Sequence, residues 1–408
     1  MGTPPWLSGS RMRISASSFL APLLATLVLA ACGGGNDAAA AAAPVGTPIS
    51  RSESTPIEGA ADWTWVPFPD AYCTDSNPDA FGVYHFGTST TGLAISWGTS
   101  KDLVIFLQGG GACWDFFTCG GAAPLVPKTA AAGPFGPLEF ASDIYAKYPS
   151  SWIRRANLPP ALADATVVFV PYCTGDVHSG DRVTTYEPIP GYAPVTWHHV
   201  GHANITAFLR RLGPTFPDVG KLVISGASAG GFGSLANYVT FRAQWPDAEG
   251  YLVDDSGPPL IGDDIPFFTR GLWYANWNLG ASLDGFCPEC RIDMSAGLRE
   301  ITTRYGKDRV ALISHLQDEV IRGFYGTLTL IPEPGFTLMP AEEFEADLRK
   351  LGTDVMDPTP NARYFFTAGD GHPTLEDPTA ILTPSPGLPE WLELMLSDSL
   401  GWTSVSDP

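Results

Sequence analysis

The stretch Gly226-Ala227-Ser228-Ala229-Gly230 decides the fold of this chain. The apolar run 221–225 before it is typical of a buried strand, and the small residues 231–239 after it are typical of a helix. A serine in a tight turn between a strand and a helix forms a nucleophile elbow. In a chain with 44 glycines the pentapeptide alone can also be a surface turn, but the strand and helix favour the elbow. The pattern therefore predicts an α/β-hydrolase with Ser228 as nucleophile.

Other short apolar runs recur at the spacing of βαβ units. They are apolar throughout, as in strands that are buried on both faces of a parallel sheet. These runs are 103–107, 167–170, 222–224, 251–253, 310–313 and 364–366, and helical patterns cover 199–212, 341–351 and 389–396. The sequence thus predicts a mostly parallel central sheet with helices on both faces.

Polar or glycine-rich loops follow these runs. In an open parallel sheet, ligands bind beyond the carboxyl ends of the strands. The loops are 108–115, 171–180, 254–257, 314–318 and 368–372. We therefore expect an active site at this edge of the sheet.

A serine hydroxyl needs a base, and the base needs an acid that orients it. In this fold the chain order is serine, then aspartate or glutamate, then histidine. Two histidines follow Ser228, namely His315 and His372. His372 lies in a glycine-rich loop after the last predicted strand, so we predict it as the base. His315 ends the preceding strand and is predicted as a pocket wall or a helix cap.

The acid has several candidates. Asp318 follows the penultimate strand, which is the commoner position for the acid, and we predict it as the third member of the triad. The alternative for Asp318 is a helix N-cap, which aspartate favours. Asp254 and Asp255 follow an earlier strand, a position that some hydrolases use, so they remain alternatives.

The loop Gly109-Gly110-Gly111 follows an early strand. Its backbone N–H groups can approach a substrate oxyanion because no side chain obstructs them. We predict an oxyanion hole formed by Gly110, Gly111 and Ala229. The alternative is a phosphate-binding loop, but the Lys-Ser/Thr of such loops does not follow.

Composition and histidine spacing restrict the ligands further. A formal net charge of −20 argues against nucleic acid and against adhesion to anionic lipid. His198 and His202 are four residues apart, but no glutamate lies between them as in H-E-x-x-H, so polar residues at a helix start are the simpler interpretation. The sequence predicts no cofactor and no metal.

The N-terminal segment has the features of an export signal. A positive region with Arg11 and Arg13 precedes a short apolar stretch that ends in Leu29-Ala30-Ala31-Cys32. This pattern is similar to a bacterial lipobox, which predicts lipidation of Cys32; an ordinary secretory signal is the alternative, and either Met1 or Met12 can be the start. Residues 1–31 are thus predicted as a signal peptide, 32–61 as a flexible tether and 62–408 as the catalytic domain.

The six cysteines other than Cys32 are an even number in a chain predicted to be exported. Such a set predicts three disulfides. Cys287 and Cys290 are close enough for a local bridge, and the surrounding sequence lacks the βαβ setting of a redox C-x-x-C motif.

Three blocks resemble those of the pectin acetylesterase and Notum family. They are Phe106–Trp114, Pro171–Gly180 and Gly226–Gly231. The resemblance covers about residues 62 to 380 and implies carboxylester hydrolysis by Ser228, Asp318 and His372. It also implies the disulfides Cys73–Cys173 and Cys113–Cys119. The chain departs from plant members at Ala112-Cys113-Trp114 and after His372, beside the expected pocket, which affects the substrate more than the reaction.

The sequence therefore predicts a serine carboxylesterase that hydrolyses short acyl esters, foremost acetyl esters, on a substrate such as a polysaccharide. A lipase or polyester depolymerase is the alternative within the enzyme class. A catalytically inactive surface binding protein is the alternative from another class. We expect a monomer of a bacterial cell envelope, either lipid-anchored or secreted.

Overall fold

The computed structural model describes residues 45–78, 84–121, 128–188, 190–262, 267–326 and 338–408. The strands are β1 (Thr55–Pro56), β2 (Thr64–Pro78), β3 (Tyr84–Ser96), β4 (Leu103–Leu107), β5 (Thr166–Val170), β6 (Arg182–Tyr186), β7 (Val195–His199), β8 (Lys221–Ala227), β9 (Glu249–Asp255), β10 (Arg309–His315), β11 (Ala362–Thr367) and β12 (Val405–Ser406). The helices are α1 (Pro137–Glu139), α2 (Gly201–Thr215), α3 (Ala229–Gln244), α4 (Phe267–Asn276), α5 (Gly280–Leu283), α6 (Ala296–Arg304), α7 (Glu319–Gly326), α8 (Ala341–Leu351) and α9 (Leu388–Leu396).

Ten of these strands form one sheet in the order β1-β2-β3-β5-β4-β8-β9-β10-β11-β12. Each neighbouring pair from β5 to β12 in this order is parallel, whereas β1, β2 and β3 join antiparallel at one edge. The crossover from β4 to β5 and then to β8 places β4 between them. This is the sheet of an α/β-hydrolase, so the predicted fold class is confirmed.

The core lies on both faces of the sheet because side chains alternate along each strand. In β4, Leu103, Ile105 and Leu107 pack into the core on one face, under α2, α3, α6 and α8. Val104 and Phe106 pack into the core on the other face, under α9. Both faces of the central strands are therefore covered, which explains why these strands are apolar throughout.

Local sequence sets the ends of the helices. Helix α8 follows Pro340 and carries Glu342 and Glu343 in its first turn and Arg349 and Lys350 in its last turn. These charges complement the helix dipole at each end. The observed bounds 341–351 are those that the apolar pattern predicts.

One predicted helix starts too early. The pattern at 199–212 predicts a helix from His199, but β7 continues through His199 and pairs with β6, and α2 begins at Gly201. Asp176 explains the boundary, because its carboxylate accepts the N–H of Gly201 at 2.7 Å. The interpretation as polar residues at a helix start is therefore wrong for His198, which lies in β7, but confirmed for His202, which lies in the first turn of α2.

Residues 45–61 were expected to be part of the tether, but they pack on the domain. Ile49 and Ile57 are each 5% exposed, and the N–H of Ile49 donates to Thr215 Oγ1 at 2.7 Å. Glu53 forms an ion pair with Arg211. This part of the tether prediction is wrong because Ile49 packs with α2 and Ile57 packs into the core on the other face of the sheet. The signal peptide 1–31 and Cys32 lie outside the described residues.

The six cysteines form the three disulfides Cys73–Cys173, Cys113–Cys119 and Cys287–Cys290. These are the pairs that the resemblance and the local spacing implied. Disulfides are typical of proteins from oxidising compartments, so they indicate an exported protein. No helix in the described part of the chain is both long and apolar enough to cross a bilayer.

Candidate active site

Ser228 lies at the apex of the turn between β8 and α3. Its backbone has φ 58° and ψ −121°, an unusual conformation for a residue other than glycine. A Cβ on Gly226 would lie 2.1 Å from the carbonyl oxygen of Gly230, and a Cβ on Gly230 would lie 2.0 Å from that of Leu107. Side chains at these positions would thus push the strand and the helix apart. The flanking glycines permit the turn that presents the serine at the carboxyl edge of the sheet.

His372 and Asp318 are directly paired. The Nδ1 atom of His372 lies 2.7 Å from Asp318 Oδ2, and the Asp318 side chain is fully buried. The other oxygen, Oδ1, accepts the N–H of Ile321 at 2.9 Å in the first turn of α7. Asp318 therefore orients the imidazole with one oxygen and caps the helix with the other. Both interpretations of Asp318 from the sequence describe contacts that exist.

Asp255 is not paired with the imidazole, but it binds the segment that follows His372 in the sequence. Its carboxylate accepts hydrogen bonds from Thr374 N, Thr374 Oγ1 and Leu375 N at 3.0, 2.9 and 2.7 Å. Its backbone carbonyl accepts the N–H of Ser228 at 2.8 Å. Asp255 thus connects the serine turn with the histidine loop.

Burial raises the pKa of both Asp254 and Asp255. For Asp254 the neighbouring Asp255 raises the pKa further, whereas the hydrogen bonds from Thr374 and Leu375 oppose the rise for Asp255. Hydrogen-bond donors therefore stabilise the charged form of Asp255, whereas the surroundings of Asp254 favour its protonated form.

His315 packs beneath the histidine loop. A Cβ on Gly371 would lie 2.9 Å from the His315 ring, so the glycine permits close contact between loop and ring. Burial lowers the pKa of His315, which keeps the ring neutral. His315 lines neither of the two cavities described below, so it is not observed as a wall of either one.

The glycine-rich loop lies against the serine. A Cβ on Gly109 would be 3.0 Å from Ser228 Cβ, and Gly111 has a positive φ of 73° that favours glycine. The carbonyl of Gly110 accepts the N–H of Ala131 at 2.7 Å, which fixes the orientation of that peptide. Ala229 follows Ser228 as the first residue of α3. The three predicted oxyanion residues are thus brought to the same place as the nucleophile.

Two buried side chains that the sequence did not single out support this loop. The Tyr172 hydroxyl donates to the carbonyl of Gly111 at 2.8 Å, and burial raises its pKa so that it remains a donor. His178 Nε2 lies 2.9 Å from the carbonyl of Gln108. A carbonyl only accepts, so Nε2 carries the proton, and burial lowers the His178 pKa to about 4. The position of residues 171–180 after a predicted strand indicates a loop at the active-site edge, but the local sequence does not predict these contacts.

Ser228 lies between two cavities. The first, which we call the apolar pocket, has an empty volume of about 890 Å³, part of it open to solvent. Its walls come mainly from α3, α4, α5 and α7, and include Phe232, Ala236, Trp273, Trp277, Leu283 and Phe324. The second, the polar cleft, has about 920 Å³ and is lined by Ser228 and His372 together with Gln108, Tyr148, Ser151 and Glu376. Ser228 and His372 therefore share one cleft, and Ser228 also lines an apolar pocket.

The structure does not bring His198 and His202 together as a metal site. His198 lies in β7, and His202 Nδ1 contacts Asn237 Oδ1 at 2.7 Å. Among the described residues, the group with ligand atoms close enough for a metal consists of Cys113, Cys119 and His199. The two sulfurs of that group are bonded to each other, so they do not fit the thiolate ligands that a metal requires.

Comparison with known proteins gives matches in sequence and in structure. The profile of the Pectinacetylesterase family matches residues 67–265. Palmitoleoyl-protein carboxylesterase notum2 of Xenopus laevis is 32% identical over 139 residues, which is 34% of this chain and 26% of that protein. Notum1 of the same species is 30% identical over 181 residues, which is 44% of this chain and 31% of that protein. The chain thus spans less than a third of the length of these relatives.

The crystal structure of the Wnt deacylase Notum from Drosophila has the same fold, with a TM-score of 0.50 and 18% sequence identity. The match covers 84% of this chain and 96% of that one. The family profile contains the glycine loop and Ser228 but ends before Asp318 and His372, whose pairing is observed in the structure itself. The profile and the relatives agree in their likeness to the pectin acetylesterase and Notum family, and the fold is that of an α/β-hydrolase.

Proposed function

We propose that the protein is a serine carboxylesterase. The observation that carries this proposal is the pairing of His372 with buried Asp318 in a loop that shares a cleft with the elbow serine. The family and the names of the relatives, which are carboxylesterases, support ester hydrolysis as the reaction.

In this mechanism, Ser228 attacks the ester carbonyl and His372 takes its proton. Asp318 orients the imidazole and stabilises its charged form. The N–H groups of Gly110, Gly111 and Ala229 bind the oxyanion of the tetrahedral intermediate. The alcohol leaves with the proton of His372, and water that is activated by the same imidazole then hydrolyses the acyl-enzyme.

The apolar pocket is the proposed site of the acyl chain. It is lined by Ser228 and Ala229 and by aromatic and aliphatic side chains that include Leu283 and Met294. A two-carbon acetyl group would contact only a few of these apolar side chains, so we propose acyl chains longer than acetyl as the preferred substrates. Acetyl esters, the first expectation from the sequence, are the second candidate because the family profile is that of pectin acetylesterases.

The test is the rate of hydrolysis of para-nitrophenyl esters from acetate to palmitate. We expect kcat/KM to rise beyond acetate, and Ser228→Ala to reduce it by about 10⁴ to 10⁶. Ser225→Ala is the matched control, because Ser225 lies in β8 just before the serine turn and its buried hydroxyl has no partner among the described residues. A maximum at acetate would favour the acetylesterase, and a maximum at palmitate would favour the lipase alternative.

Absence of turnover with every ester would contradict the proposal and favour the surface binding protein. Unchanged turnover by Ser228→Ala would exclude Ser228 as the nucleophile. We also propose that Cys32 carries a lipid anchor and that the segment between Cys32 and the domain, shorter than first expected, serves as the tether.

A further inference from the structure

The polar cleft differs from the apolar pocket in its side chains, and Ser228 lines both. The segment 144–153 forms one wall, with Ile144, Tyr148, Ser151 and Ile153, and the glycine loop forms another. His372 also lines this cleft, and in the proposed mechanism that residue protonates the leaving alcohol. The group that leaves toward His372 therefore enters the polar cleft.

Glu376 contributes the carboxylate of this cleft. It is half-buried, four residues after His372, and its carboxyl group interacts with the side chain of Tyr148. Among the described residues that line the cleft, Glu376 is the acidic one, and the set includes no lysine or arginine. A carboxylate only accepts hydrogen bonds, and it accepts them strongly from hydroxyl groups.

The cations near this cleft are engaged with its aromatic wall. Lys147 Nζ lies 4.9 Å from the centre of the Tyr148 ring, on an exposed side chain, and its charge attracts that of Glu376. The Arg154 guanidinium lies 3.6 Å from the Tyr145 ring, and its Nε donates to the Tyr148 carbonyl at 3.1 Å. Beyond residue 44, the segments outside the described part contain no lysine or arginine. Glu376 thus partly neutralises the positive charge of Lys147, and the net charge of the chain is −20.

We propose that the polar cleft binds the alcohol part of the ester, and that this alcohol is an uncharged, hydroxyl-bearing group such as a neutral saccharide. Glu376 accepts hydrogen bonds from its hydroxyls and repels polyuronates, in which each sugar carries a carboxylate. The inference rests on the proposed esterase function and adds the class of the leaving group. Like charges that approach in a partly desolvated cleft disfavour binding, and salt weakens this repulsion.

The experiment compares xylan and polygalacturonate, each esterified to the same degree with butyryl groups, with para-nitrophenyl butyrate as the reference. For the wild type we expect kcat/KM on the xylan ester to exceed that on the polygalacturonate ester by about tenfold. Added salt should raise the rate on the polygalacturonate ester and leave the rate on the xylan ester nearly constant.

The test variant is Glu376→Gln, which keeps the shape and removes the charge. Relative to the reference ester, it should lose activity on xylan and gain several-fold on polygalacturonate. Asp377→Asn is the matched control, since it removes the same charge from the next residue, which is exposed and outside the cleft. Both ratios should remain at wild-type values in that variant.

Three results would overturn the inference. One is a wild type that prefers the polygalacturonate ester; another is a Glu376→Gln variant with both ratios unchanged. The third is hydrolysis of neither polymer while the reference ester is turned over. A wild type that hydrolyses no para-nitrophenyl ester at all would instead overturn the proposed esterase function, on which the inference rests.

Discussion

The substitution Asp255→Asn distinguishes the roles of Asp255 and Asp318, the two carboxylates that contact the histidine loop. In the structure Asp255 accepts three hydrogen bonds from Thr374 and Leu375, whereas Asp318 accepts the one from His372. An asparagine keeps one acceptor oxygen and places an NH₂ group against backbone N–H donors. The variant therefore loses one or two hydrogen bonds to a buried charged group.

The magnitude follows from these contacts. A hydrogen bond to a charged group contributes about 1.5 to 3 kcal/mol, and an unsatisfied buried N–H costs a similar amount. Removal of the buried charge offsets part of this loss because the carboxylate is costly to desolvate. We expect the free energy of unfolding to fall by about 2 to 4 kcal/mol. Leu375 is fully buried, so water does not replace the lost partners without local opening.

The catalytic effect should be smaller than that of Asp318→Asn. The pair of His372 and Asp318 remains in Asp255→Asn, but its loop is held less firmly, and a displacement of about 1 Å can reduce the rate about 100-fold. Asp318→Asn permits the wrong imidazole tautomer, which in the best-studied triad lowers kcat about 10⁴-fold. The assay is kcat and KM with para-nitrophenyl butyrate, together with the midpoint of urea unfolding for each variant.

The control is Asp247→Asn, a change at an exposed aspartate in the turn before β9. It should alter neither the rate nor the midpoint. The reasoning fails if Asp255→Asn abolishes activity while the unfolding midpoint stays constant and Asp318→Asn is nearly as active as the wild type. That ranking would make Asp255 the triad acid.

Two further predictions concern pH and the N-terminus. Burial lowers the pKa of His178 from 6.5 to about 4. Between these two pH values the unfolded chain binds a proton at His178 and the folded chain does not. The contribution of His178 to the free energy of unfolding is therefore complete above pH 6.5, and about 3 kcal/mol of it is lost as the pH falls toward 4. NMR spectra should show no titration of this ring between pH 7.5 and 5, and a midpoint near 6.5 would contradict its burial. Cys32→Ala should release active enzyme from the membrane fraction or block its processing, as mass spectrometry of the N-terminus would show; a wild type with an unmodified N-terminus near residue 32 would refute lipidation.

The central strands could be predicted because they are surrounded by apolar side chains on both faces. Strands buried on both faces must be apolar at every position, and β4, β5 and β8 to β11 each contain such a run. The long antiparallel pair β2 and β3 has polar residues on the side that faces solvent and three prolines, Pro67, Pro69 and Pro78, in its first strand. Its pattern resembles a loop, so nothing in the sequence predicted it.

Local sequence was enough to propose Ser228 as nucleophile and His372 as base, but it did not predict the contacts that support them. The glycines around Ser228 and His372 can be recognised in the sequence, and they are required there because a Cβ atom would prevent the close packing of neighbouring segments. The bonds from Tyr172 to Gly111 and from His178 to Gln108 join residues 61 and 70 positions apart. Such contacts depend on how the crossover from β4 to β5 brings two loops together, and no periodicity records them.

The register of the sheet explains why two aspartates after neighbouring strands have different roles. Asp255 pairs with Ala227 on one side and with Ile313 on the other, so it lies level with the last residue before the serine turn. Asp318 comes three residues after His315, the end of β10, and is thus beyond the edge of the sheet. A carboxylate at the level of the strands supports the turn and the base of the histidine loop from below. Only the carboxylate beyond the edge is at the height of the imidazole, and this is why Asp318 is the one that can orient His372.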